Sequence, residues 1–356
     1  MNDYVLKIKL KSSIITPLYS DIIFGHICWA LRYLEGVNFF EDFLAEYEKD
    51  PKFLISDAFL ENYLPKPILP SMKYEDILIM AKNNSNLFRS GINLSGLKNN
   101  VLKISEKLKL FRTLEFIPSD IFFKFANNLN ELNEKNLFLE MNKIQEEIEE
   151  DTVNFYSNKE TIEVMHNQIN RISFSTKDGQ LYSQQETFYN EDTIFDIYFR
   201  IFDLKVMDIL KKAINFISIT GFGKDKSIGK GVFEIYKDFQ EYKDFEKIKE
   251  IPGNFYMSLS SFVPNNNIKL LFYNVKTRYG KIFDDISENN DNKKNFNPFK
   301  KPILTIEAGS IYKINNKEIN LDKLLVGSFI SNISSYSKIK QYAFSYPIKI
   351  NISQNI

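Results

Sequence analysis

Cysteine is nearly absent: Cys28 stands alone among 356 residues. That excludes a disulfide within the chain and any cysteine-based zinc site, and it fits a reducing cytoplasm. No run approaches the ~18 apolar residues that a membrane-spanning helix needs. Met1 to Leu10 lacks the apolar core of a secretory signal. Net charge is missing too: 46 Lys and Arg balance 46 Asp and Glu, and the pI is about 6.8. The basic surplus common in nucleic-acid binders is therefore not there. Arginine is scarce, six against forty lysines, and lysine abundance runs with Asn and Ile abundance, so it carries no functional weight.

What is there supports a folded, two-part chain. A hydrophobic content of 44% is enough for a core, and the length suggests about two domains. Glycine is concentrated: four of the thirteen fall in Thr220-Gly221-Phe222-Gly223-Lys224-Asp225-Lys226-Ser227-Ile228-Gly229-Lys230-Gly231, with three lysines. Such a loop lets backbone N–H groups approach an anion, and phosphate is the natural guest. The Walker pattern fails because Gly231 follows Gly229-Lys230 where Ser or Thr should stand, and the dinucleotide pattern fails at Lys226. The loop also leads from a helix-like run, Leu204 to Ile219, into a strand-like run, Val232 to Tyr236. Nucleotide loops run the other way. A nucleic-acid backbone suits this loop better, and a plain turn with solvated lysines is the competing reading.

Upstream, Tyr4 to Lys11 alternates as a strand, with Tyr4, Leu6, Ile8 and Leu10 inward and Lys7, Lys9 and Lys11 outward. A basic outer face there could form an RNA-reading sheet surface. Ser20 or Asp21 offers an N-cap for a helix over Ile22 to Glu35 that is apolar nearly all round and hence buried. His26 on that helix is either structural or a general acid–base. Glu41 to Asp50 reads as a helix, Phe53 to Phe59 as a strand, and Leu64 to Pro70 as an extended connector. Lys98 to Arg112 is basic. Glu131 to Asp151 holds eight acids against two lysines, with Ile144 and Ile148 at helical spacing.

Glu163 to Ser173 and Leu181 to Tyr189 read as two strands joined by a turn at Asp178-Gly179. They carry a polar cluster, His166, Asn167, Asn170 and Arg171, of types that meet phosphates, base edges and base faces. Such a hairpin could lie beside the Gly-rich loop. Thr193 to Phe202 is a strand, and Lys237 to Ile251 is a charged linker. Phe255 to Phe262, Lys269 to Thr277, Ile303 to Ile306, Ser310 to Ile314 and Tyr342 to Ile350 are further strands. Asp284 to Asn297 is a polar loop whose Asp284 and Asp285 lack partner ligands for a metal. The expectation is an α+β fold: a β-α-(insertion)-β-β-β-α-loop-β domain over 1–240, with its insertion at about 75–160, and a β-rich domain over 241–356.

Several stretches together resemble one family. They are Thr16 to Leu31 with its Ser20-Asp21-Ile22-Ile23-Phe24-Gly25-His26 core, Phe53 to Phe59, Leu64-Pro65-Lys66-Pro67, and the His166 to Arg171 hairpin. To these are added Gly221 to Gly231, Val275-Lys276-Thr277-Arg278-Tyr279-Gly280, Phe299-Lys300-Lys301-Pro302 and Glu307-Ala308-Gly309-Ser310. The chain resembles, over nearly its whole length, the fourth-subunit family of Csm-type (type III-A) CRISPR effector complexes, within the RAMP superfamily. The Gly-rich loop is common to RAMPs; the helix and Val275 to Gly280 blocks are particular to this subunit.

The resemblance implies two ferredoxin-like (RRM-related) domains, a projecting thumb, and a loop set against crRNA phosphates. It implies a subunit that is not itself a nuclease and needs no cofactor or metal. That subunit would hold the crRNA 5′ handle, near the target RNA, and contact the large polymerase/cyclase subunit and the first backbone RAMP subunit. The residues expected at RNA are Gly221, Phe222, Gly223, Lys224, Lys226, Ser227, Gly229, Lys230, Gly231, His166, Asn167, Arg171, Ser20 and His26. The alternatives are a RAMP endoribonuclease cutting repeat RNA with His26 as general acid–base, and a protein-only assembly module.

Overall fold

A computed structural model describes residues 2–83, 97–127, 132–147, 159–169, 176–251, 253–280, 297, 299–315, 323–334 and 338–352. In chain order the first part runs β1 (Asn2–Leu10), α1 (Ser20–Glu35), α2 (Val37–Lys49), β2 (Phe53–Leu60), β3 (Tyr63–Pro65), α3 (Tyr74–Asn83) and α4 (Leu97–Thr113). It continues with β4 (Phe116–Pro118), α5 (Ser119–Asn127), α6 (Glu134–Glu147), β5 (Lys159–Ile169), β6 (Thr176–Tyr189), β7 (Ile194–Ile201), α7 (Met207–Thr220) and β8 (Phe233–Glu241). The second part adds β9 (Phe255–Ser258), β10 (Ile268–Phe272), β11 (Val275–Arg278), β12 (Ile303–Ile306), β13 (Ile311–Ile314), β14 (Gly327–Ile330), β15 (Gln341–Phe344) and β16 (Pro347–Lys349).

β1, β2, β7 and β8 make one antiparallel sheet in the order β2-β7-β1-β8, with α1 between its first two strands in sequence and α7 between its last two. The expected order puts the helical insertion directly after α1; the structure places β2 before it and sets β5 and β6 apart as a sheet of their own. The second sheet, β10-β13-β9-β16, has four antiparallel strands as well. Among the described residues it has no α-helices of its own; the antiparallel pair β14–β15 falls between its last two strands in sequence, and β11–β12 between its middle two. The described residues between β3 and β5 form α3 to α6 with β4 among them, and β4 pairs back to β3.

The central strands of the first sheet, β1 and β7, are covered on both faces, while the edge strand β8 is exposed at most of its positions. The alternation of β1 predicts one wet face, yet Asp3 and Val5 are buried along with Leu6, Ile8 and Leu10, and β7 is buried at every position after its first. The second part supplies cover. Arg200 of β7 donates to Asp3 at 2.7 Å and to the Pro347 carbonyl at 2.8 Å, and Tyr346 donates to Asp3 at 2.8 Å. Lys7 is held by Asp196 at 2.6 Å and Glu61 at 3.1 Å. Along β1 and β7 no open RNA-reading face is left, and Lys7 and Lys9 are largely covered, which corrects that expectation for them.

Other departures have local causes. The expected linker is not a linker: β8 runs to Glu241 against β1, and Phe245, Ile248 and Ile251, spaced three apart, are buried. Lys269 to Thr277 is two strands: β10 pairs with β13 and ends at Phe272, and β11 begins at Val275 against a different partner, β12. Tyr33 and Leu34 at the end of α1 are 51% and 44% exposed, so that helix has an outer face. Asp178 and Gly179 lie inside β6 rather than at a turn. Ile148, Asn170, Arg171 and residues 284–296 of the polar loop, Asp284 and Asp285 included, lie outside the described residues.

Candidate nucleic-acid interface

The Gly-rich loop hangs between the end of α7 and the start of β8, and its glycines are where the backbone demands them. Gly221, Gly223, Gly229 and Gly231 all have positive φ, and so does Asp225 at 61°. At Gly231 (φ 68°) a Cβ would sit 2.0 Å from the Phe222 carbonyl oxygen, and at Gly221 2.6 Å from that of Lys230. The two ends of the loop thus cross in contact, tied by the Phe222 N–H to the Gly231 carbonyl at 2.9 Å. Phe222 is buried, its ring 4.6 Å from that of His26, so it anchors the loop rather than offering a face to a base.

Most loop N–H groups are spent inside the protein. Gly221 donates to Ile217, Ile228 and Lys230 to Asp225, Gly229 to Lys226, and Gly231 to Ser13. Lys224 N–H donates to Thr16 Oγ1 at 3.0 Å, and Gly223 N–H to His26 Nε2 at 2.9 Å. The outer surface is therefore the tip: Lys224, Ser227, Ile228 and Gly229 lie outermost, with Lys226 half-buried beside them.

His26 is a fastener. Its Nε2 lone pair accepts from the loop backbone, and burial, reinforced by Lys226, lowers its pKa to about 3. A ring neutral at pH 7 whose Nε2 is engaged has no proton to give there and no free base at that nitrogen. Ser20 is fully buried at the head of α1. Its own side chain does not cap; instead Asp57 on β2 accepts the Ser20 N–H at 2.8 Å. Burial raises the pKa of Asp57, and Arg278 acts against it.

The hairpin β5–β6 lies against the loop, as its polar cluster suggests. It docks through paired backbone bonds of 2.9 Å between Ile14 and Thr187. Alternate residues of β6 then face the loop. Gln184 accepts from Lys224 Nζ and donates to Asp225 at 2.9 Å. Glu186 accepts from Lys230 Nζ at 2.5 Å and Ser13 Oγ at 2.7 Å. Burial pushes its carboxyl up, but these bonds together with the charge of Lys230 hold it below the usual range.

His166 pairs with Tyr182 in register, on the side of the hairpin shared by Gln184 and Glu186, and their rings stack at 5.3 Å and 14°. Tyr182 is 52% exposed. Asn167 pairs with Leu181 on the opposite side, away from the loop. The structure thus joins the loop tip with His166 and Tyr182, and leaves Ser20, Phe222 and Asn167 outside that surface. The sequence did not single out Ser13, Thr16, Gln184, Glu186 or Asp225. Only the period-two placement of Gln184 and Glu186 on a strand could have hinted at them.

No family profile and no curated protein matches the sequence. Solved structures do. One is a chain of a Csm3–Csm4 subcomplex of the type III-A CRISPR-Cas interference complex: 17% identity, 99% of this chain and 100% of that one, TM-score 0.53. Two others come from Csm1–Csm4 cassettes crystallised with AMPPNP and with pppApA. Both are 14% identical over 99% of each chain, with TM-scores of 0.54 and 0.53. What these likenesses share is the fold: from end to end this chain is built as the Csm4 chains of those complexes are.

Proposed function

We propose that this chain is a non-catalytic, RNA-binding subunit of a type III CRISPR effector complex that grips the 5′ handle of the guide RNA, close to the target RNA. One observation carries the reading: the Gly-rich loop and the His166–Tyr182 pair, far apart in sequence, form one surface with a cationic tip and a stacked aromatic pair. Amines at a loop tip suit phosphates, and ring faces suit bases. The protein partners in this reading are the large polymerase/cyclase subunit and a backbone RAMP subunit, since the similar folds were solved in Csm1–Csm4 and Csm3–Csm4 assemblies. The engagement of His26 Nε2 speaks against the ribonuclease alternative.

The test is RNA retention against salt. Substituting Lys224 and Lys226 with alanine in the assembled complex should lower retention and flatten the slope of log affinity against log salt by about 1.4, two single-strand phosphate contacts. Retention equal to wild type at raised salt rejects the grip. Cleavage of repeat RNA by the purified chain, lost in His26→Ala, reinstates the nuclease.

A further inference from the structure

Lys224 meets the neutral amide of Gln184, whereas Lys230 meets a carboxylate. The Lys230 amine turns inward, 2.5 Å from Glu186 Oε2 and 3.0 Å from Ser13 Oγ, with the Phe188 ring 6.0 Å away. Glu186 is completely enclosed, although Glu160 and Glu163 on the neighbouring strand β5 stand in solvent. Its second oxygen faces His166 Nε2 at 3.5 Å, and neither atom has a hydrogen-bond partner among the described residues. Ser13 closes the arrangement, giving its hydroxyl to Glu186 and accepting the Gly231 N–H on its carbonyl at 3.0 Å. One carboxylate thus joins the segment after β1, the Gly-rich loop and both strands of the hairpin.

We infer that Lys230 and Glu186 are positioning residues, a partly enclosed ion pair that fixes the hairpin against the loop, and that phosphate is taken by the tip lysines Lys224 and Lys226. The inference rests on the RNA-binding reading for its second half only. A lysine that neutralises a phosphate and one that neutralises a buried carboxylate respond differently to substitution. Removing Lys230 strands the charge of the enclosed Glu186, and removing Glu186 leaves the partly exposed Lys230 without its anchor, whereas replacing both with apolar residues of similar size is closer to neutral. A phosphate-binding lysine gains nothing from a change at Glu186.

The experiment compares Lys230→Met, Glu186→Met and the double variant in the complex with a single-stranded guide RNA. Glu186→Gln serves as the milder variant should the methionine forms fold poorly. Each single change should weaken retention about tenfold with the salt slope unchanged, and the double should recover to within about threefold. Amide hydrogen exchange on the RNA-free chain gives a readout independent of RNA. Gly223, Gly231 and Thr187 should exchange faster in each single variant and return toward wild type in the double. A slope reduced by about 0.7 in Lys230→Met with no recovery in the double overturns the inference and leaves RNA binding standing. Unchanged exchange in the single variants overturns it as well. A wild-type complex that fails to hold RNA sinks the binding reading, and the exchange result still decides the ion pair.

Discussion

Two glycines of one loop show what residue-level geometry decides. Gly229 and Gly231 both have left-handed backbone, at φ 89° and 68°. A Cβ at Gly229 meets nothing within 4 Å, while one at Gly231 overlaps the Phe222 carbonyl. Gly229→Ala should cost about 1–2 kcal/mol, the conformational penalty alone. Gly231→Ala should cost more than about 3 kcal/mol, because the loop ends must part. Equal losses in urea unfolding would contradict the crossing of the loop ends. His26 makes a pH prediction. Its pKa falls from 6.5 unfolded to about 3 folded, so the folded state binds fewer protons between those values. The stability it contributes is full above pH 6.5 and drains as pH falls toward 3, by up to about 1.4 kcal/mol per pH unit. His26→Gln keeps an acceptor for Gly223 and does not titrate, so its stability between about pH 6.5 and 4 should fall less than that of the wild type. Parallel curves would remove His26 from its place under the loop.

Elements are readable in the sequence where their signals are local. The β1 alternation, the Gly-rich loop, and the strands at Phe53 and Thr193 stand close to where the pattern puts them. What fails depends on distant partners. The cap of α1 comes from Asp57, 37 residues from Ser20, so Ser20 and Asp21 look like caps in the sequence and are not. The role of Lys230 stays hidden because Glu186 lies 44 residues away. The stretch after β8 reads as a linker because its charges outnumber Phe245, Ile248 and Ile251, the residues that bury it. Asp57→Ala would leave the buried Ser20 N–H without its acceptor and the Ser261 hydroxyl without the carboxylate it meets at 3.3 Å. It should cost about 2 kcal/mol, seen as a lower urea midpoint with an unchanged m-value. A neutral result would mean that α1 finds another cap.

At the scale of the molecule, the two sheets share one apolar core that includes Leu6, Phe199, Met257, Tyr342, Phe344 and Tyr346. The buried Arg200–Asp3 pair joins them: Tyr346 donates to Asp3, and the Pro347 carbonyl accepts from Arg200. The fold class is readable from the order of helix-like and strand-like runs. The covering of the first sheet is not, since nothing in β1 announces that Tyr346 will meet its Asp3 from more than three hundred residues away. We propose that 1–240 and 241–356 are two structural units that depend on each other. The fragment 1–240 should then lack a cooperative unfolding transition, and Arg200→Met should cost about 3–5 kcal/mol by stranding Asp3. A fragment that unfolds cooperatively on its own would show that the shared core is dispensable.

If the loop tip and the His166–Tyr182 face hold guide RNA without cutting it, a crosslinking map of that RNA on this chain, taken within the assembled complex, reads the contact most directly. The expected result is crosslinks at Lys224 to Gly229 and at His166 and Tyr182, with the RNA intact. Crosslinks confined to another face of the chain would contradict it.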